Sequence, residues 1–528
     1  MSLLTNNAAM TALQTLRGIN KGLNQVQDQI STGKEVGNAK DNAAIWAVAK
    51  TMESDVGGFK AIRDSLALGD STVAVARTAA ERTTDLLKDI KAKVISAQEE
   101  NVDRNAIQAD IDNLVDQVKA TVGAAQFNGL NLVKGTEDIE ILSSLDRSGT
   151  GVEAGNITVA RQDLTSSAGT EGADAETAGG YASITKVESQ AAGGLLSTTT
   201  AAAATTVSST LNAKEGNDVT LTFAALADTE FAEVTVNNQT IRYTSDGATT
   251  ANDAAAHFAS TINALGIEGV EIDLSAATVK ISNTNAFDAV SVETDSTADD
   301  DLVITNYNGG TDFGTNTGGN SISVEQRAET IEFSKTASVA EGDTFKVTVD
   351  GSSFSYIAGK NENMEDVARG LKTAIDGTAD DTVSTKVSQN TDGQWVLAVD
   401  DSDADGTETL SLTVTSGGEA SGGLFGLEDL DVTTDDGASR AIDNIETMIS
   451  NSISAASSLG SAQGRIEQQD DFMANLIDNF KSGIGSLVDA DMEEASAKLQ
   501  ALQVQQQLGV QALSIANQAP QSILSLFR

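Results

Sequence analysis

His257 is the only histidine among 528 residues, and cysteine is absent. A lone imidazole moves a proton usefully only when a second group orients it and a third receives the proton. His257 sits beside Phe258 in a helical pattern with no nucleophile motif or second metal ligand. It therefore reads as a surface or half-buried helix residue. Carboxylates are abundant, 77 in all, so closeness in sequence singles out no acid–base pair. No GxGxxG, phosphate loop or GxSxG occurs. One spacing does fit metal chemistry. Asp401, Asp403, Asp405 and Gly406 repeat the first half of a calcium loop, where oxygen ligands alternate and a glycine makes the turn. The closing bidentate Glu belongs at position 412, which is Leu412, and the flanks alternate like strands. A solvated acidic turn is the plainer reading. No catalytic residue and no cofactor are expected.

The spacing that does repeat is apolar, and it belongs to helices. Ala9, Leu13, Leu16, Ile19, Leu23, Val26 and Ile30 follow at 4-3-3-4-3-4. At the other end come Met492, Ala495, Leu499 and Leu502, a polar break at Gln505–Gln507, and then Leu508, Ala512, Ile515 and Ala519. The single proline, Pro520, precedes Ile523, Leu524, Leu526 and Phe527. Two narrow apolar stripes predict two long helices that pack on each other and on copies of themselves. The residues expected at contacts between copies are Leu13, Leu16, Ile19, Leu23, Val26, Ile30, Leu499, Leu502, Leu508, Ile515, Leu524 and Phe527.

Inward of these lie longer heptad series. One runs from Ile62 through Leu66, Gly69 and Val73 to Val94 and Ala97; another runs from Ile442 to Leu487, with Gly483 and Gly485 marking a joint. A third helix carries Ile107, Ile111, Leu114 and Val118, and Asn128-Gly129 signals a hairpin. Both inner series read as intramolecular core.

From about 140 to 435 the period changes to two. Residues 233–282 and 346–399 repeat at an offset of 113: Val234 with Val347, Tyr243 with Tyr356, Phe258 with Leu371. Each copy predicts hairpin, helix, hairpin and a flanking strand. Residues 145–215 read as irregular connection with short strands.

Charge follows the same division. The net charge is −44, and residues 141–435 carry −34 of it. Such a surface repels nucleic acid and anionic membrane. No apolar run reaches transmembrane length, and the first basic residue, Arg17, lies too far in for a secretory signal. No thiol ties the chain to a redox compartment, and one proline leaves little slow isomerisation.

The expected fold is α+β: an elongated multi-domain rod, with a nested coiled-coil bundle from both termini and a β-rich outer insert of two repeated modules. The expected domains are 1–45 with 486–528 (filament core), 46–141 with 436–485 (inner bundle and small hairpin), and 142–435 (acidic insert, modules at about 215–295 and 325–415).

These blocks resemble a known family. SLLTNNAAMTALQTLRGINKGLNQVQDQISTGKEVGNAKDNAAIWAVA at the start, AQFNG at 125–129, RIEQQ at 465–469 and ANQAPQSILSLFR at 516–528 are similar to bacterial flagellins. The resemblance covers roughly 1–140 and 438–528. The middle departs from the best-known members, though its duplicated unit resembles small modules found inside flagellins and hook-associated proteins. The resemblance implies a homo-oligomeric, extracellular filament subunit for motility. It also implies unfolded type III export with a chaperone, assembly beneath a filament cap, and contact with hook-associated proteins. Residues Asp85–Ala97 match the helix that innate receptors read, but Lys88 and Ala92 stand where the family has Arg and Leu, so a planar fork and apolar bulk are lost. Two other readings are a hook–filament junction protein, with similar ends, and a secreted calcium-binding adhesin, in which the insert carries the function.

Overall fold

The computed structural model describes residues 7–148, 151–185, 190–191, 206–247, 249–297, 301–307, 320–378 and 382–526. The helices are α1 (Asn7–Thr32), α2 (Ala43–Ala97), α3 (Arg104–Ala124), α4 (Ala251–Leu265), α5 (Met364–Asp376), α6 (Asp435–Val488) and α7 (Met492–Leu526). The chain divides into two compact units. One is Met1–Val73, Ile139–Val159 and Ser461–Arg528; the other is Ala74–Asp138 and Ala160–Gly460.

In the first unit the heptad residues Ile62 and Leu66 are fully buried. Phe59 meets Phe480 edge to face at 5.4 Å, and Arg63 forks onto Asp470 at 2.8 and 2.9 Å. An antiparallel hairpin, Ile139–Ser148 with Gly151–Val159, packs onto this pair. Its seats are glycines on α2. A Cβ at Gly69 would lie 2.5 Å from Ile141 Cδ1, and one at Gly58 would lie 2.9 Å from Leu145 Cδ1. Gln469 Nε2 donates to the Ser143 carbonyl at 2.8 Å. The sequence reading places residues from 142 onward in the outer insert and treats 145–215 as irregular. The hairpin instead belongs to the helical unit, because Ile141 and Leu145 find their apolar partner on α2.

Two helix boundaries also differ from expectation. Helix α6 continues through Gly483 and Gly485 and ends at Val488. Gly483 leaves room for Met52, whose Cε would stand 3.4 Å from an added Cβ. The joint is Asp489–Asp491, where the Val488 carbonyl accepts from Glu35 N–H at 2.7 Å and Ala490 N–H donates to Gly33 O at 3.0 Å. Asp491 then accepts from the Glu493 and Glu494 amides at 2.9 and 3.2 Å, opening α7. Helix α7 runs unbroken through Gln505–Gln507 and past Pro520. Glutamine is a good helix former, and Gln506 Nε2 uses its polarity to donate to Asn20 Oδ1 at 2.7 Å.

In the second unit, Leu86, Leu87, Ile90 and Val94 of α2 are buried with Ile111 of α3 and Ile445 of α6. A polar pair, Thr84 Oγ1 and Ser452 Oγ at 2.9 Å, lies within the α2–α6 seam. The short hairpin Gln126–Phe127 with Leu130–Asn131 turns through Asn128 and Gly129, both at positive φ.

The β-rich remainder has two helix-bearing modules with their own cores. In the first, Phe231–Val236 pairs with Gln239–Thr244, α4 follows, and Val270–Ser275 pairs with Thr278–Asn283. In the second, Thr344–Val349 pairs with Ser352–Ile357, α5 follows, and Val383–Gln389 pairs with Trp395–Asp401. The offset of 113 holds in detail. Val234 faces Ile241 as Val347 faces Phe354. The turns Asn237-Asn238 and Asp350-Gly351 both have positive φ. Thr250 and Asn363 cap their helices with reciprocal boxes to Asp253 and Asp366. The strands Val290–Ser296 and Thr409–Ser416 lie beside the first hairpin of each module.

Candidate self-assembly face

Helices α1 and α7 pair antiparallel within the chain. A Cβ at Gly509 would lie 2.8 Å from Leu16 Cδ1, too close, while one at Gly22 would make ordinary contact with Leu502 Cδ1 at 3.5 Å. The covered positions of α7 are Ala495, Leu499, Leu502, Gln506, Gly509, Leu513 and Ala516, an alternation of four and three. On α1, Val26 is buried, while Leu16, Ile19, Leu23 and Ile30 are half-buried. Leu16, Ile19 and Leu502, expected at contacts between copies, line the seam of one chain's own helix pair. Glycine at 509 lets the two helices approach there.

A different apolar stripe is left open. Val504 is 56% exposed, Leu508 57% and Ile515 69%, with Met10 at 62% and Leu13 at 39% on α1. Leu508, Ile515 and Leu13 are among the residues that the spacing singles out. Val504 and Met10 are not, because their stripe interleaves with the covered one and only the pairing separates them. Phe527 lies outside the described residues, as does the side chain of Leu524. A helix pair that leaves this much apolar surface exposed lowers its free energy by covering it, about 1.5–3 kcal/mol for each large side chain fully buried.

The positions read for chemistry have other occupations. His257 on α4 lies tilted against Tyr243 at 4.7 Å and edge to face with Phe258 at 5.7 Å. Asp401 accepts from the Asp403 amide at 3.0 Å, and Asp405 accepts from the Thr407 amide and hydroxyl at 3.0 and 2.6 Å. The Thr407 hydroxyl holds the Asp405 carboxyl below its ordinary range. Among the described residues, no three His, Cys, Asp or Glu side chains are placed to hold a metal ion. Lys88 is exposed on α2 and pairs with Asp85 at 3.5 Å; Ala92 is exposed one turn on. No described helix is long and apolar enough to cross a membrane.

Long paired helices with an open apolar stripe are the features of a structural, self-associating protein. Residues 3–138 match the bacterial flagellin N-terminal helical region and residues 442–527 the bacterial flagellin C-terminal helical region. Flagellin A of Rhizobium meliloti is 30% identical over 531 aligned positions, spanning all of both chains. Flagellin FljM of Caulobacter vibrioides is 40% identical over 168 positions, 31% of this chain and 62% of that one. Among solved structures, flagellar hook associated protein-3 from Legionella pneumophila aligns over 83% of this chain and 98% of its own at 10% identity and a TM-score of 0.31. The chain belongs to the bacterial flagellin family and is a subunit of the extracellular flagellar filament. The full-length match to flagellins favours this over a hook–filament junction protein.

Proposed function

We propose that the open stripe of α7, Val504, Leu508 and Ile515, together with Met10 and Leu13 of α1, forms the seam between neighbouring subunits in the filament. The observation that carries this is the exposure of these residues in a helix pair whose other apolar stripe is already covered. A head-to-tail contact that does not close on itself builds a filament. In this reading 1–45 with 486–528 is the filament-core domain, 46–141 with 436–485 is the inner helical bundle, extended by the hairpin to Val159, and the remaining acidic residues to 435 form the solvent-facing insert. The two modules of the insert are copies of one fold. Export by the flagellar apparatus with a chaperone, growth beneath a cap and contact with hook-associated proteins follow from the family.

The test compares charges on the two stripes. Leu508→Asp and Ile515→Asp place a carboxylate where the free chain exposes it to water and the filament would bury it, at a cost of several kcal/mol in the filament, roughly 2–7 even for a neutral polar group. Filament yield by electron microscopy should collapse while the melting temperature of the monomer holds. Leu16→Asp, inside the intramolecular seam, should lower both. Normal filaments from Leu508→Asp and Ile515→Asp would rule this stripe out as the seam.

A further inference from the structure

The acidic turn at Asp401–Gly406 has an occupant within the chain. The module spanning 217–324 joins the other module through segments 211–217 and 324–329, and the short strand Gln190–Ala191 also pairs into its sheet. The first segment docks on this turn and the second docks beside it. Lys214 N–H donates to Ala404 O at 2.8 Å, Leu211 N–H donates to Glu408 O at 2.9 Å, and a Cβ at Gly406 would stand 3.5 Å from Ala213 Cβ. Beside the turn, Asp400 receives Arg327 Nε and Nη2, each at 2.6 Å, and the two side chains are only 2% and 11% exposed. Arg327 Nη1 also reaches Lys214 O at 3.3 Å, so one guanidinium spans both segments and the turn.

Three asparagines tie the segments to each other and to the outgoing module. Asn212 Nδ2 donates to Arg327 O at 3.0 Å. Asn217 Nδ2 donates to Gln326 O at 2.8 Å. Asn283 Nδ2 donates to Val324 O and Glu325 O at 2.9 and 3.0 Å. The amides of Arg327 and Ala328 donate to Asn285 O and Ala286 O, each at 2.9 Å. Segments that cross between two modules are ordinarily where they hinge. Here a bidentate charge pair and side-chain amides hold the crossing backbones.

We propose that Arg327, Asp400 and the Asp401–Gly406 turn form a latch that locks the two modules of the insert into one rigid arm. A planar fork suits this role because it bonds the carboxylate twice and still has a donor for the Lys214 carbonyl. Removing Arg327 leaves Asp400 buried without its fork, and the crossing loses the side chain that joins the Lys214 carbonyl to Asp400.

The natural absence of cysteine makes a clean test possible in the full chain. Ala256 on α4 and Thr391 in the turn of the second module are both exposed. Spin labels on the Ala256→Cys, Thr391→Cys double variant report the distance between modules by pulsed electron paramagnetic resonance. The parent should give a single narrow distribution. Adding Arg327→Ala should widen it by roughly twofold or more, the freedom of an unlatched hinge, with amide-exchange protection of Phe231–Val236 and Thr344–Val349 unchanged. If Arg327→Ala costs module protection, Arg327→Lys is read instead. It keeps the charge but loses the fork, and it should also broaden the distribution. A broad distribution in the parent, or a narrow one in whichever arginine variant keeps its modules folded, overturns the latch.

Discussion

Glu362 accepts the Tyr356 hydroxyl on both carboxylate oxygens at 2.9 Å. Burial pushes its carboxyl up to about 7, against the Gly359 amide and the Tyr356 hydroxyl, which favour the charged form; nearby Asp366 adds to the rise. The unfolded chain gives up this proton near the ordinary value of 4.5, whereas the folded chain keeps it to about 7. The folded state therefore binds more protons in between, and stability falls as pH rises through that window, by on the order of 3 kcal/mol in total. Glu362→Gln keeps an acceptor for Tyr356 and removes the titration. The variant should gain melting temperature relative to the parent between pH 5 and about 8 and match it most closely at the acid end. A constant difference across that range would mean that Glu362 does not titrate in the window. Sequence alone shows Tyr356 as a repeat position paired with Tyr243 but says nothing of this proton, because position 249, the equivalent of Glu362 at the repeat offset, is Thr. The same limit applies to Arg327 and Asp400: separated by 73 positions, they form no motif. The Asp401–Asp405 spacing was legible, but its use as a dock for a linker could appear only with the fold.

Glycine decides an element-scale question on α2. In the heptad series Gly69 reads as one more seam position, and the series itself is recovered as a continuous helix with Ile62, Leu66 and Val73 buried. What the spacing could not show is that the position seats Ile141 of the hairpin. Alternation in 139–159 reveals strands with one apolar face but does not name the surface that covers it. Gly69→Ala improves helix propensity by about 1 kcal/mol yet forces a methyl into Ile141, and overpacking of this kind typically costs about 1–3 kcal/mol. Net destabilisation is expected in thermal unfolding. Gly57→Ala is the control: the same helix, with nothing within 4 Å of an added Cβ. It should be stabilising. If both variants gain stability, the hairpin is not seated on Gly69. Helix ends were the least legible feature. Glycines 483 and 485 look like a break, but packing against Met52 and a cap at Asp491 move the joint to 489–491.

For the whole molecule, the division into paired ends and an inserted middle was legible from period and charge together. The natural place to cut the insert was not. The chain closes on itself where Gly422 N–H donates to Ser167 O at 2.8 Å and Gly423 N–H donates to Asp163 O at 2.9 Å. Joining Ser167 to Gly422 through a short Gly/Ser linker removes both modules and leaves the hairpin on α2 intact. The shortened chain should still be secreted and polymerise, with a lower melting temperature because α6 loses the Lys372–Asp443 pair and the Arg440 bond to Val383 O. Absence of filaments from a folded, secreted chain of this kind would show that the insert is needed for assembly.

The first compact unit draws on three stretches of sequence, Met1–Val73, Ile139–Val159 and Ser461–Arg528, whereas all of the second lies between positions 74 and 460. That arrangement sets an order of events. A chain delivered from either end holds every piece of the second unit before it holds every piece of the first. Closing α1 onto α7 directly means closing a loop of several hundred residues, and that entropy grows with the logarithm of the loop length. Once the middle has folded, the effective loop is only the few residues that remain loose. The termini are therefore the last part of the subunit to find each other, and the speed of that step is governed by how fast everything between them folds.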